Sequence, residues 1–406
     1  MSSSSPAKIL FFDHTAAWGG GEVALFHVIT NLDRNRFEPL VVLGEEGPLA
    51  ERLREAGVDV QILALPTSVG RARKDGLGWR SVLKLGRIFQ GAAYCWRLCR
   101  CIRKARPAVV FTNSLKSDVL GGVAARLSGV KVVWNVQDRI ASDYLPQAMV
   151  RLIRTMARWV PHAVVANSKA TLETLHLPKS GRARRARVIH CGVQIPERVA
   201  MPRESETLTV GIIGRLASWK GQHVFLRAAA KVLPKFPTVR FRIVGAALFG
   251  EEPYAAELRA LTAVLGLEAN VDFLGFQSDI PRVLERLDIV VHASTTAEPF
   301  GLVVAEAMAA GRAVVATRGG GVPEIVRDRE TGLLVPMGDA EALAQGMLEL
   351  LQDSALRERL GRAGRGYVEG SLTVQRQAAQ VMELLTELCS PPPALRLAVA
   401  ATEPTS

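Results

Sequence analysis

Short apolar runs rich in β-branched residues recur along the chain, and patterns with helical spacing fall between them. KILFFDH, FEPLVVLG, VDVQILALP, PAVVFTNS, KVVWNVQD, HAVVANS and ARVIHCGV read as strands in the first half. LTVGIIGR, VRFRIVGA, VDFLG, DIVVHAS, AVVATRG and TGLLVP read as strands after about residue 205. Amphipathic stretches such as GGEVALFHVITNL and PLAERLREAG separate them. Continuous apolar strands alternating with helices are those of a parallel sheet covered on both faces. The fold class is therefore α/β, with two Rossmann-like, doubly wound parallel-sheet domains.

The boundaries follow from where the pattern stops and restarts. Residues 1–198 form a first domain, and residues 199–206, within the Pro- and charge-rich VQIPERVAMPRESET, form a linker. A second domain spans 207–375, and a last helix, 376–390, is expected to pack back on the first domain. The tail 391–406, PPPALRLAVAATEPTS without its flanks, has the composition of a disordered end. A length of 406 residues fits two domains. Two such sheets in one chain leave an inter-domain cleft, and each sheet binds ligands at the carboxyl ends of its strands.

Candidate chemistry is therefore sought in strand-end loops. HTAAWGGGEVAL follows the first strand; its glycines permit a tight turn against a ligand or a purely structural one, and the G-x-G-x-x-G fingerprint is absent. GRLASWKGQHVFL brings Arg215 and Lys220 to one turn before a helix opened by Gly221. A guanidinium, an ammonium and a helix N-terminus suit a diphosphate; two solvated surface charges are the plainer alternative. The stretch EPFGLVVAE places Glu298 in a loop and Glu306 inside an apolar helix, with the first-turn amides of Gly301, Leu302 and Val303 between them. A charge in such a helix needs a partner, either a ligand or an ion pair with an Arg. ATRGGGVPEIV adds a further glycine-rich strand end, with Pro323 starting a helix.

The early G-G-G-E, G-R-L-x-x-x-K-G, EPFGLVVAEAMAAG, AVVATRGGGVPEIV and TGLLVP, in this order across most of the chain, resemble the retaining GT-B glycosyltransferases of glycosyltransferase family four, the glycosyl transferases group one. The resemblance implies transfer of a sugar from a UDP- or GDP-sugar to a hydroxyl of a glycan or lipid-linked acceptor, in cell-surface polysaccharide or glycolipid synthesis. It implies that Arg215 and Lys220 hold the donor diphosphate and Glu306 binds the ribose hydroxyls. Glu298 would be catalytic, contacting the transferred sugar and its developing charge. The amides of Phe300, Gly301, Leu302 and Val303 would support sugar and phosphates. Gly20 and Gly21 would let the first loop close on the donor, and Gly275 and Phe276 would lie by the nucleobase. No metal or other cofactor is expected, because Arg and Lys take its place. Many relatives carry a His where this chain has Gln137, followed by Asp138. Gln hydrogen-bonds a sugar hydroxyl but shuttles no proton; Asn113, Gln137 and Asp138 are the acceptor-side candidates.

Charge adds one further expectation. Residues 1–200 hold 30 Lys and Arg against 15 Asp and Glu, a net of +15, and the remainder carries a net of −3. Arg71 to Lys104 holds ten Lys or Arg and one acid, with Trp79, Phe89, Tyr94 and Trp96 interleaved. That composition suits an anionic membrane surface or, more plainly, a solvated basic face on a core helix; no nucleic-acid motif accompanies it. No run is long enough to span a membrane, and the first residues lack a signal-peptide core, so a cytoplasmic protein, peripheral on the membrane, is expected. The seven His show no metal-ligand spacing, and Cys95, Cys99 and Cys101 read as reduced thiols. The competing classes are a sugar-nucleotide epimerase of the same architecture and a non-catalytic membrane- or nucleic-acid-binding protein.

Overall fold

The computed structural model describes residues 5–66, 85–178, 185–197, 207–248 and 250–390. The expected linker 199–206, the tail 391–406 and positions 71–84 of the basic stretch lie outside the described residues.

The chain divides into two units. The first takes in the residues up to Asn167, Thr171–Ile189 and those from Val374 onward. Its sheet contains β1 (Ala7–Asp13), β2 (Phe37–Leu43), β3 (Asp59–Ile62), β4 (Val109–Asn113), β5 (Lys131–Val136), β6 (Ala163–Ala166) and β7 (Ala186–Val188). All pairings are parallel, in the order β3-β2-β1-β4-β5-β6-β7. The period of two along a strand sorts its side chains between two cores. Ile9, Phe11, Val41 and Phe111 face one core, and Leu10, Phe12, Val42, Val110 and Trp134 face the other.

Helices Gly20–Thr30, Pro48–Glu55 and Val374–Cys389 cover the first of these faces, and helices Leu85–Ala105, Leu115–Leu127 and Gln147–Trp159 cover the second. The helix Val374–Cys389 belongs to this unit through Val381, Leu384, Leu385 and Leu388, a stripe at helical spacing that is fully buried. Each of those side chains contributes roughly 1.5–3 kcal/mol by leaving water. The stretch ARVIHCGV forms a strand only over Ala186–Val188, because the chain passes into the second unit at His190.

The second unit comprises Ser168–Ala170 and His190–Thr373. Its strands are β8 (Thr209–Ile213), β9 (Arg240–Val244), β10 (Val271–Gly275), β11 (Ile289–His292), β12 (Ala313–Thr317) and β13 (Leu333–Val335). They pair in parallel in the order β10-β9-β8-β11-β12-β13. The central strands are buried throughout, while β10, at one edge, exposes Leu274 and slips register between Phe273 and Gly275. This order sets the ends of β8, β11 and β12 side by side, which brings three loops far apart in sequence to one place.

Candidate active site

In the second unit, the loop after β8 runs through a single 3-10 turn, Ser218–Lys220, to Gly221 and the helix Gln222–Val232. The loop after β11 leads to the helix Leu302–Ala309. Two contacts stitch the loops together. The Thr295 amide donates to the Trp219 carbonyl at 2.8 Å. Gly221, at φ +73°, lies so close to the Ala293 carbonyl that a Cβ would sit 1.9 Å from its oxygen. No other residue fits there.

This stitching carries Lys220 to Glu298, with Nζ donating to Oε1 at 2.6 Å. Trp219 lies beside both cations of the turn: Lys220 Nζ is 4.3 Å and the Arg215 guanidinium carbon 5.9 Å from its ring centroid. Gln222 donates to the Arg215 carbonyl at 2.9 Å, fixing the turn from within. Arg215 and Lys220 are thus brought to one turn as expected from their spacing, and Trp219 is an organising residue that the spacing did not single out.

Glu298 is 9% exposed. Burial would raise its pKa, but the Lys220 charge, hydrogen bonds and charge from His292, and the Lys220 hydrogen bond overcome this and hold the carboxyl well below the usual range. Its Oε2 accepts from Ser294 Oγ at 2.8 Å and lies 3.4 Å from His292 Nε2. Its backbone is equally constrained. The Gly321 amide donates to the Glu298 carbonyl at 2.9 Å, and Gly320, at φ +61°, would place a Cβ 1.8 Å from that oxygen. The strand-end glycines after β12 therefore serve Glu298 directly.

Glu306 has a different environment. It is half-buried in the helix Leu302–Ala309, and no Arg or other partner among the described residues pairs with it. Burial pushes its carboxyl up to about 7. Of the two ways to accommodate a charge in this helix, the ion pair is not formed among the described residues. Gly301 caps the helix in the left-handed region rather than starting it, so the first helical amides are those of Leu302 and Val303. The Phe300 ring is buried and packs against His190 at 5.7 Å between centroids. Gly275 ends β10 at the sheet edge, and Phe276, the next residue, is 60% exposed.

The first unit collects its polar residues at the ends of β1, β4, β5 and β6. Asp13 is fully buried and accepts from Asn113 Nδ2 at 2.6 Å, from Ser114 Oγ at 3.1 Å and from Ser117 Oγ at 3.2 Å. Ser114 holds φ +74°, a strained value for a residue with a Cβ. Asn113 is itself fully buried, and its Oδ1 accepts from Asn135 Nδ2 at 2.8 Å. Gly21 lies beside it: a Cβ there would be 3.6 Å from Gln137 Cγ and 3.9 Å from Asn113 Nδ2.

Gln137 accepts from Asn167 Nδ2 at 3.0 Å, and Asp138 accepts from the Tyr144 hydroxyl at 2.6 Å. Gly20 and Gly21 begin the helix Gly20–Thr30, and Glu22 in its first turn is pushed up to about 8 by burial and by Asp13. Asp13 and, in the second unit, His292, Ser294 and Thr317 lie outside the candidate residues that the strand-end motifs single out. The available signal was a polar residue closing an apolar strand, as in KILFFD and DIVVH.

Residues 195–367 match the sequence family described as glycosyl transferases group 1, and residues 47–192 match the glycosyl transferase 4-like domain. The chain is 32% identical over 189 residues to the lipopolysaccharide core biosynthesis glycosyltransferase LpsE of Rhizobium meliloti, covering 47% of this chain and 53% of that one. It is 37% identical over 174 residues to the phosphatidyl-myo-inositol mannosyltransferase of Mycobacterium tuberculosis, covering 41% and 43%. The matches thus span about half the length of these relatives. HepE from Anabaena, solved in complex with UDP-glucose, superimposes with a TM-score of 0.80 at 28% identity, covering 94% of this chain and 100% of that one. Both units are matched by models of glycosyl transferase domains, group 1 over residues 195–367 and 4-like over residues 47–192, and the two parallel-sheet domains share the GT-B glycosyltransferase fold over nearly the whole chain.

Proposed function

We propose that the protein transfers a sugar from a nucleoside diphosphate sugar to a hydroxyl of a glycan or lipid-linked acceptor, with retention of anomeric configuration. The observation that carries this reading is the Lys220–Glu298 pair at the strand ends, together with a Glu306, in the helix that follows Glu298, that has no side-chain partner among the described residues. The UDP-glucose complex of HepE supports a nucleotide-sugar donor.

The roles follow from the electrostatics. Lys220 and Arg215 offer positive charge to a departing diphosphate, so the reading calls for no metal ion. Glu298, held below the usual carboxylate range by Lys220 and its hydrogen bonds, is a carboxylate at neutral pH and offers acceptors rather than a proton. It stabilises positive charge developing on the sugar while accepting hydrogen bonds from it. Glu306, once ionised, accepts the two hydroxyls of a ribose. The leaving phosphate then assists the attacking hydroxyl on the face it leaves, which retains configuration. Gln137 hydrogen-bonds the acceptor without exchanging a proton.

The acceptor's class is supported by a second feature. Helix Leu85–Ala105 exposes Phe89 and Trp96, with the Arg100 guanidinium 4.8 Å over the Trp96 ring. Helix Gln147–Trp159, on the same face of the sheet, exposes Leu152 and Trp159. The two helices hold eight Lys or Arg and no Asp or Glu. Aromatic and basic side chains on one face suit an anionic lipid surface, where a lipid-linked acceptor would be met. No helix among the described residues is long and apolar enough to cross a membrane.

The test is a thermal-shift panel of UDP- and GDP-sugars, followed by NMR of the product's anomeric centre. A rise in melting temperature with one donor class and a retained linkage are expected. Glu298→Gln should lower turnover about 100-fold or more. Wild-type turnover in that variant, or epimerisation of the free donor without transfer, would overturn the proposal.

A further inference from the structure

Trp219 stands in the middle of the 3-10 turn Ser218–Lys220 and serves it in two separable ways. Its carbonyl accepts from the Thr295 amide at 2.8 Å and from the Thr295 hydroxyl at 3.3 Å, which ties the turn to the loop after β11. Those bonds belong to the main chain, so a different side chain at this position leaves them in place. The indole is what lies against the cations. Lys220 Nζ is 4.3 Å and the Arg215 guanidinium carbon 5.9 Å from its ring centroid, both within the range at which the negative face of an aromatic ring attracts a cation.

With three residues per turn, successive side chains of a 3-10 helix diverge by about 120°. The Lys220 stem must therefore fold back to reach its neighbour's ring, and Glu298 Oε1, at 2.6 Å, holds it from another side. An ammonium has three N–H donors. One goes to Glu298, the ring faces the group from a second direction, and a donor is left over without a partner among the described residues. Arg215 is fixed at its carbonyl by Gln222, which is buried, so its guanidinium starts from a set point on the same turn. Two like charges on one turn repel, and an indole against both of them offsets that repulsion.

We propose that the Trp219 indole is the positioning residue of the donor diphosphate site: an aromatic platform that holds the Lys220 ammonium and the Arg215 guanidinium together, with N–H groups left for phosphate oxygens. The ring acts through the two cations and touches no reacting atom. The proposal rests on the reading of Arg215 and Lys220 as the diphosphate ligands, and it adds that an aromatic ring, rather than apolar bulk, is required between them.

The test is calorimetry of the full chain with UDP and GDP, in the wild type, Trp219→Phe and Trp219→Leu. Trp219→Leu should bind the diphosphate about five- to tenfold more weakly, and Trp219→Phe, which keeps a ring, should stay within about threefold of the wild type. Competition by uridine or guanosine, which carry no phosphate, should be alike in all three. The fluorescence of Trp219, taken as wild type minus Trp219→Phe, should change on addition of UDP or GDP with the affinity found by calorimetry; this measurement does not require Trp219→Leu to fold. Equal diphosphate affinity of Trp219→Leu and wild type, or a Trp219 signal that ignores a bound diphosphate, would overturn the proposal and leave the diphosphate reading standing. Equal weakening of nucleoside and diphosphate would overturn it too, as a general distortion of the unit. A wild type that binds neither UDP nor GDP would overturn the reading and the proposal together.

Discussion

Lys220 and Glu298, 78 residues apart in sequence, meet at 2.6 Å, and both are largely withdrawn from solvent. The pair unites the loop assigned to the donor diphosphate with the residue assigned to the transferred sugar. Removing either member therefore acts on both binding and stability.

Lys220→Met should weaken binding of the free nucleoside diphosphate and destabilise the second unit. Glu298 would keep its bonds to Ser294 and His292 but lose its nearest cation, at a cost of about 3–5 kcal/mol. Calorimetry with UDP and GDP, together with denaturant unfolding, measures both effects. Unchanged affinity would remove Lys220 from the donor site.

Glu306 makes stability depend on pH with a definite sign. Its folded pKa is raised to about 7, above the ordinary 4.5 of the unfolded chain. The folded state thus holds a proton that the unfolded state releases, and stability falls as pH rises from about 4.5 through 7. The loss is on the order of 3 kcal/mol, and Glu306→Gln should abolish it. Glu22, raised to about 8, adds a loss of the same sign that extends to higher pH. Melting curves of wild type and Glu306→Gln between pH 5 and about 8.5 compare the slopes, and identical slopes would contradict the assignment. If the ionised form grips a ribose, affinity for UDP should rise with pH through this range, and affinity for its dideoxy analogue should not.

Two glycines with positive φ should respond differently to alanine. Gly320→Ala would drive a Cβ into the Glu298 carbonyl, 1.8 Å away, and should abolish activity along with stability. Gly275→Ala meets nothing within 4 Å and carries only the backbone strain, about 1–2 kcal/mol. Similar losses in the two variants would show that crowding around Glu298 is not what requires Gly320.

Phe89 and Trp96 are exposed, at 80% and 59%, so replacing both with Ser should leave the melting temperature within about 2 °C. Co-sedimentation with anionic vesicles at low salt should drop several-fold, and neutral vesicles should bind neither protein. Equal binding of variant and wild type would assign the basic face to solvent.

Much of the architecture was legible from periodicity. The seven and six apolar runs correspond to the strands of the two parallel sheets, because a strand buried on both faces must be apolar throughout. Arg215 and Lys220 were legible as one turn, since both lie between a strand and the helix that follows it. The surroundings of Glu306 were legible only as alternatives. An ion pair and a ligand are equally compatible with a charge in an apolar helix, and only the tertiary structure shows that no Arg among the described residues reaches it.

The sequence by itself determined the secondary elements, the fold class and the loops at which chemistry is placed, because these depend on local spacing and on the period of apolar residues. Tertiary structure alone decided which loops meet. Strand order in a parallel sheet is set by crossovers, so β8, β11 and β12 become neighbours although long segments separate them. That order brings Thr317 to His292 and Glu298 to Lys220. In the first unit it brings Asn113 to Asp13 across 100 residues. No local pattern encodes those distances, because they arise from packing helices over two faces of a sheet.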